Sequence, residues 1–150
     1  MDIFRCALIL TVILCAALPC DAQPANVQPR YRKFLSQHVN EHMNQHICTQ
    51  VIHEREITET NSNRCKEVNS FIVADKKHIR DVCVRAGSPL GRDLYESTQP
   101  FQVVKCTLKS GVTRPHCQYK GSKQMRRITL GCDQGWPTHY DEDTVVITHG

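Results

Sequence analysis

The chain has 150 residues, 40% hydrophobic and 23% charged, with 19 Lys and Arg against 15 Asp and Glu. This is the composition of one folded domain, and it excludes a disordered tail; seven Gly and seven Pro exclude a collagen-like or low-complexity chain. No apolar run reaches the roughly 18 residues that a membrane-crossing helix needs.

Met1–Arg5 is a short head with one positive charge, and Cys6–Leu18 is apolar apart from Thr11. Pro19 breaks that run, and Cys20 and Ala22 stand at the −3 and −1 positions of a cut after Ala22. This is the pattern of a secretory signal peptide over residues 1–22, which leaves a single secreted domain over residues 23–150. The mature chain then carries 18 basic and 13 acidic residues. Cys6, Cys15 and Cys20 leave with the signal; Cys48, Cys65, Cys83, Cys106, Cys117 and Cys132 remain. An even set in a small exported chain reads as a disulfide framework, and spacing alone leaves all fifteen pairings open. Cys106 and Cys117 are the closest pair and no C-x-x-C occurs, which argues against a zinc site.

After a loose leader, Pro29 can open a helix, because its missing N–H costs nothing in the first turn. Tyr31, Phe34, Leu35 and His38 follow at i, i+3, i+4 and i+7, one helical stripe with His38 on its apolar side. Ile47–Arg55 reads as a second, weaker helix, and residues 58–63 as a polar loop. Phe71-Ile72-Val73 is a short strand. Asp75 is a good N-cap for a third helix, in which Ile79, Val82 and Cys83 share a face. Gly87 and Pro89 end it, and residues 87–99 read as loop with room for a short strand. The period then turns to alternation: Phe101–Leu108, Cys117–Lys120, Met125–Leu130, Trp136–Tyr140 and Thr144–Thr148 are strand candidates, with a turn at Lys109-Ser110-Gly111. Helices first and an antiparallel sheet later is an α+β architecture.

Three segments carry a more specific signal: Lys33-Phe34-Leu35-Ser36-Gln37-His38, Cys65-Lys66-Glu67-Val68-Asn69-Ser70-Phe71, and Pro137-Thr138-His139-Tyr140-Asp141. Together they resemble the pancreatic-type ribonuclease (ribonuclease A) superfamily, whose signature is C-K-x-x-N-[TS]-F with one histidine upstream and another near the C-terminus. Phe101–Cys106, Pro115-His116-Cys117-Gln118-Tyr119 and the set of six cysteines are similar to the angiogenin-like branch. The resemblance implies three short helices packed on a twisted antiparallel sheet, with Cys48–Cys106, Cys65–Cys117 and Cys83–Cys132 bridged.

The chemistry can be stated from the residues. RNA carries its own nucleophile, the 2′-hydroxyl. A metal-free nuclease needs a base for that proton, an acid for the departing 5′-oxygen and a cation for charge building on the phosphoryl oxygens. Two histidines and a lysine meet that list, because histidine titrates near neutrality. The resemblance assigns His38 as base, His139 as acid and Lys66 as the cation, with cleavage of single-stranded RNA after pyrimidines through a 2′,3′-cyclic phosphate. It implies that Gln37 and the Tyr140 backbone bind the phosphate and Lys33 a neighbouring phosphate. Asn69, Ser70 and Phe71 are expected to contact substrate, with Ser70 reading the pyrimidine, and Asp141 orients His139. Asp141 also begins an acidic run with Glu142 and Asp143, which by itself reads as a solvated turn. The segment Thr144–Thr148 is expected to lie over the pyrimidine site, as the angiogenin C-terminus does.

His38, His42 and His46 at i, i+4 and i+8 would stack on one face of a continuous helix. The family's first helix ends near Val39, so His42 and His46 are expected at the surface, with no metal and no cofactor. Basic clusters at Arg30-Arg32-Lys33, Lys76-Lys77-Arg80 and Lys120–Arg127 suit an RNA strand, or anionic bacterial or cell surfaces. A ribonuclease inhibitor is a further expected partner, and the molecule is expected to be a monomer. The rival reading is a cationic secreted signalling or antimicrobial protein, angiogenic or antibacterial through its surface, with vestigial nuclease activity.

Overall fold

The structure is a computed structural model that describes residues 22–142. The signal peptide, but for Ala22, and the Thr144–Thr148 strand candidate lie outside the described residues.

Helix α1 spans Gln28–His38, with Pro29 in its first turn and Tyr31, Phe34 and His38 buried. It stops where Val39 turns extended (φ −123°, ψ 120°). Its last carbonyls need partners, and Arg55 supplies them: Nη1 donates to the carbonyl oxygens of Val39 at 2.7 Å, Ser36 at 2.9 Å and Leu35 at 3.4 Å. A cation at a helix C-terminus also meets the negative end of the helix dipole. Helix α2, Cys48–Glu54, buries Cys48, Val51 and Ile52, and Arg55 is its C-cap. Helix α3 is short, Lys76–Arg80. Asp75 caps it as expected, its side chain accepting the His78 N–H at 2.9 Å. A single 3-10 turn, Asp81–Cys83, continues it and buries Val82 and Cys83.

The strands are β1 (Val68–Ile72), β2 (Gly87–Gly91), β3 (Leu94–Ser97), β4 (Phe101–Ser110), β5 (Gln118–Arg126), β6 (Thr129–Asp133) and β7 (Trp136–Tyr140). They form two antiparallel sheets, ordered β1-β4-β5 and β2-β3-β6-β7. In the first, Asn69 pairs with Cys106 and Phe71 with Val104.

Because side chains alternate along a strand, β1 and β4 feed two cores. Ile72, Phe101 and Val103 join Phe34, Ile79, Ile128, Leu130 and Tyr140 in one. Phe71, Val104 and Cys106 join Met43, Val51, Ile52, Ile57 and Tyr119 in the other. The three bridges are Cys48–Cys106, Cys65–Cys117 and Cys83–Cys132, with sequence separations of 58, 52 and 49. They tie α2 to β4, the entry of β1 to the entry of β5, and the 3-10 turn to β6.

Two expectations are corrected. Residues 87–99 hold two strands, more than the expected loop with one short strand: β2 and β3 form a hairpin whose turn takes Gly91, Arg92 and Asp93 through positive φ. Pro89 by local rule argues against a strand. It is tolerated because β2 is an edge strand, where a missing N–H breaks no inner ladder. The strands expected at Cys117–Lys120 and Met125–Leu130 are one long β5 and a separate β6. β5 runs through the polar stretch Lys120–Gln124. At Gly121 a Cβ would lie 2.2 Å from the Gln45 carbonyl oxygen, so only glycine lets the crossing chain pass there.

Candidate active site

α1 lies on β7 and on β1 and carries its stripe into a groove of about 460 Å³. That groove is lined by Arg30, Lys33, Phe34, Gln37, His38, Thr60, Lys66, Thr138, His139, Tyr140 and Glu142. Three separate stretches of chain thus bring His38, Lys66 and His139 to one concavity.

His38 is 7% exposed, and its Nδ1 lies 2.8 Å from the Ser70 carbonyl oxygen. A carbonyl has no proton to give, so Nδ1 carries the hydrogen and Nε2 is left as the lone-pair nitrogen of a neutral ring. Burial pushes the imidazole pKa down to about 3, helped by the Lys66 ammonium and, less, by His139, against the Ser70 hydrogen bond. The ring stacks on Tyr140, centroids 5.3 Å apart and planes 24° apart, with Phe34 on another side at 5.8 Å. Burial of the Tyr140 phenol raises its pKa to about 12, so it stays a neutral packing partner.

Lys66 Nζ donates to Asn69 Oδ1 at 2.8 Å, and Asn69 Nδ2 donates to the Gln37 carbonyl oxygen at 2.8 Å. Asn69 is fully buried. It therefore links the end of α1 to the lysine and positions both, rather than facing the groove. Burial lowers the Lys66 pKa, Glu142 raises it and Lys33 lowers it. Phe71, expected to contact substrate, has no exposed surface. It lies in the second core with the Arg55 guanidinium 5.7 Å over its ring, so its side chain supports the site from beneath.

His139 stands on β7 opposite Gly131 of β6 and is exposed. A Cβ on Gly131 would lie 2.9 Å from the His139 Cβ, so the glycine is what gives that side chain its room. Asp141 follows at the end of β7, its N–H donating to the Thr129 carbonyl oxygen at 3.0 Å. His42 is exposed, and α1 ends at His38, so His38, His42 and His46 do not share a helix face.

Two charged residues of the groove are not among the site residues expected from the sequence. Arg30 lines it while its guanidinium pairs with Asp133, which links α1 to β6. Glu142 lies in an acidic run that by itself reads as a solvated turn. Its carboxylate instead accepts the Ser70 N–H and the Ser70 hydroxyl, both at 2.8 Å. The only sequence signal for it is its place directly after the His139 motif.

The pancreatic ribonuclease family model matches residues 29–141. Ribonuclease-like 3 of Danio rerio is 41% identical over 149 residues, 97% of this chain and all of that protein. Angiogenin-4 of Mus musculus is 37% identical over 150 residues, 97% of this chain and 99% of that one. The X-ray structure of zebrafish RNase5 superposes with a TM-score of 0.79 at 51% identity, covering 81% of this chain and 99% of that one. With the six cysteines bridged first to fourth, second to fifth and third to sixth, the chain belongs to the pancreatic ribonuclease family, in its angiogenin-like branch.

Proposed function

We propose that this pancreatic-type endoribonuclease is secreted and cleaves single-stranded RNA after pyrimidines, without a metal ion. The neutral His38 takes the proton of the 2′-hydroxyl, whose oxygen attacks the adjacent phosphorus. His139 gives a proton to the departing 5′-oxygen, and Lys66 offsets the charge gathering on the phosphoryl oxygens. The product is a 2′,3′-cyclic phosphate, and in its hydrolysis the two histidines exchange roles. DNA has no 2′-hydroxyl and is left intact. Gln37, Lys33 and the Tyr140 backbone hold phosphates, Ser70 reads the base, and Asp141 orients His139.

The observation that carries this reading is the single groove shared by His38, Lys66 and His139, with the His38 tautomer set by the Ser70 carbonyl. Its test is cleavage of the dinucleotide UpA by purified, oxidised protein, with and without EDTA. His38→Ala and His139→Ala should each lower kcat/KM by at least 100-fold, the order expected for a lost general acid or base. Circular dichroism should show the fold retained. Unchanged cleavage in either variant defeats the mechanism, and loss of activity in EDTA points to a metal.

Glu142 favours a second reading beside the first. Its carboxylate holds both Ser70 donors, so a base must displace it. A slow nuclease with a basic exterior suits a signalling or antibacterial role carried by the surface. If His139→Ala still kills bacteria or stimulates endothelial cells, the surface carries that role.

A further inference from the structure

α1 also borders a second groove, of about 820 Å³, which shares no lining residue with the one that holds His38, Lys66 and His139. Its floor is apolar. Leu35, Val39 and Ala74 lie there, and all three are partly buried side chains at the border of the core of Phe34, Ile72 and Leu130. The edge of that core is therefore open at this place, between the end of α1 and the start of α3.

The charges on its walls are not balanced. Two carboxylates line the groove, and both have partners: Asp75 accepts the His78 N–H at 2.9 Å as the cap of α3, and Glu41 lies 3.6 Å from the His42 ring. Against them stand Arg55, Lys76 and Lys77, and among the described residues none of these three has a carboxylate within ion-pair distance. Arg55 is half-buried and fixed. Its Nη1 is held by the carbonyl oxygens of Leu35, Ser36 and Val39, and its guanidinium lies over the Phe71 ring. Among the described residues nothing bonds its Nε or Nη2. Those two nitrogens form one edge of the guanidinium, an edge that can take both oxygens of a carboxylate. Because the side chain is already immobilised, a ligand loses little affinity in ordering it.

We propose that this groove binds a free medium-chain fatty acid, with its carboxylate on Arg55 and its chain over Leu35, Val39 and Ala74. An apolar floor beside a fixed cation selects an anion that carries an aliphatic chain. Lys76 and Lys77 on the rim add attraction for the head group. The site stands apart from the reaction groove and does not depend on RNA cleavage.

The test is an NMR titration of the isotope-labelled, oxidised protein with sodium octanoate, with butanoate and octanol as comparisons. The amide signals of Leu35, Val39 and Ala74 should move together and saturate in the millimolar range, while those of Lys66 and His139 stay in place. Butanoate should bind about tenfold more weakly or worse, because it lacks four of the methylenes that the floor covers. Octanol should bind about tenfold more weakly, because it brings no charge to the guanidinium. Ser36 is exposed and lines the groove, with its carbonyl oxygen 2.9 Å from Arg55 Nη1. Ser36→Glu therefore sets a competing carboxylate beside Arg55 without entering the core, and it should lower octanoate affinity by on the order of tenfold. Ser36→Gln, of the same size and uncharged, should bind octanoate as the wild type does. No saturable shift at the three amides, octanol binding as tightly as octanoate, or equal affinities in Ser36→Glu and Ser36→Gln overturns the site. Shifts centred on Lys66 and His139 overturn it as well, since they put the carboxylate in the reaction groove.

Discussion

Two hydrogen bonds tie Glu142 to Ser70, one from the backbone N–H and one from the hydroxyl. On the proposed mechanism these are the donors that a pyrimidine takes up, and the side chain holding them is a carboxylate that lines the same groove as His38, Lys66 and His139. A base entering the site has to break bonds to a charged acceptor, each worth about 1.5–3 kcal/mol net, and regains part of that by bonding Ser70 itself. Glu142→Ala should therefore raise kcat/KM on UpA by on the order of tenfold, the equivalent of about 1.4 kcal/mol. Glu142→Gln should fall between, since it removes the charge and keeps a hydrogen-bonding oxygen. A steady-state assay that finds Glu142→Ala equal to or slower than the wild type would show that the carboxylate does not stand in the way. Asn69 illustrates the opposite case. It sits in the family motif, yet it is buried and its side chain bonds Lys66 and the Gln37 carbonyl oxygen instead of facing the groove.

At the scale of elements, the proposed acid and base are placed by different devices. His38 rides at the end of α1, whose final carbonyls are tied down by Arg55 from the end of α2. His139 depends on the β6–β7 pairing, where the register shifts between Gly131 and Cys132. Gly131 faces His139 there, and a methyl at Gly131 has to push the histidine or the strand away. Gly131→Ala should lower kcat on UpA by about tenfold or more, because misplacement by about 1 Å costs up to 100-fold. KM should change far less, since no phosphate or base contact is removed. A variant with normal kcat and an intact fold would show that β7 absorbs the added carbon at no cost to the acid.

At the scale of the whole molecule, burying a titratable ring links catalysis to stability. His38 stays neutral in the folded state down to about pH 3, whereas in the unfolded chain it takes a proton near its ordinary value of 6.5. Between those two values the unfolded chain binds more protons, so stability is fully present above about pH 6.5 and falls as the pH drops through the window. The slope from this one group is at most about 1.4 kcal/mol per pH unit. Urea unfolding of the wild type and His38→Gln between pH 7 and pH 3.5 isolates it, because the carboxylates contribute equally to both. The wild type should lose stability more steeply, and parallel curves would show that His38 is protonated in the fold. The three bridges underwrite this burial. Each closes a loop of about fifty residues, worth roughly 4 kcal/mol in the chain-entropy model, and two lie in one core and the third in the other.

Read along the chain, local chemistry already specified α1 from Pro29 and its stripe, the Asp75 cap of α3, and β7 over Trp136–Tyr140. Each follows from neighbours within a few residues, where propensity and period act directly. The histidine–lysine–histidine set was legible for another reason: the motifs around it are dense enough to be recognised, although nothing in their spacing brings the three together. Other features are decisions of the fold. Pro89 sits in a strand only because that strand has an outer edge, and polar β5 is a strand only because β4 offers it a partner. The bridge pairing could not be drawn from spacing, since it depends on which strands meet. Glu142 belongs to an acidic run that any local rule sends to solvent. Local sequence determined which helices start where and which groups can move a proton. Long-range packing alone decided which donors those groups face, because hydrogen bonds and charges act through space over a few ångströms, however many residues lie between.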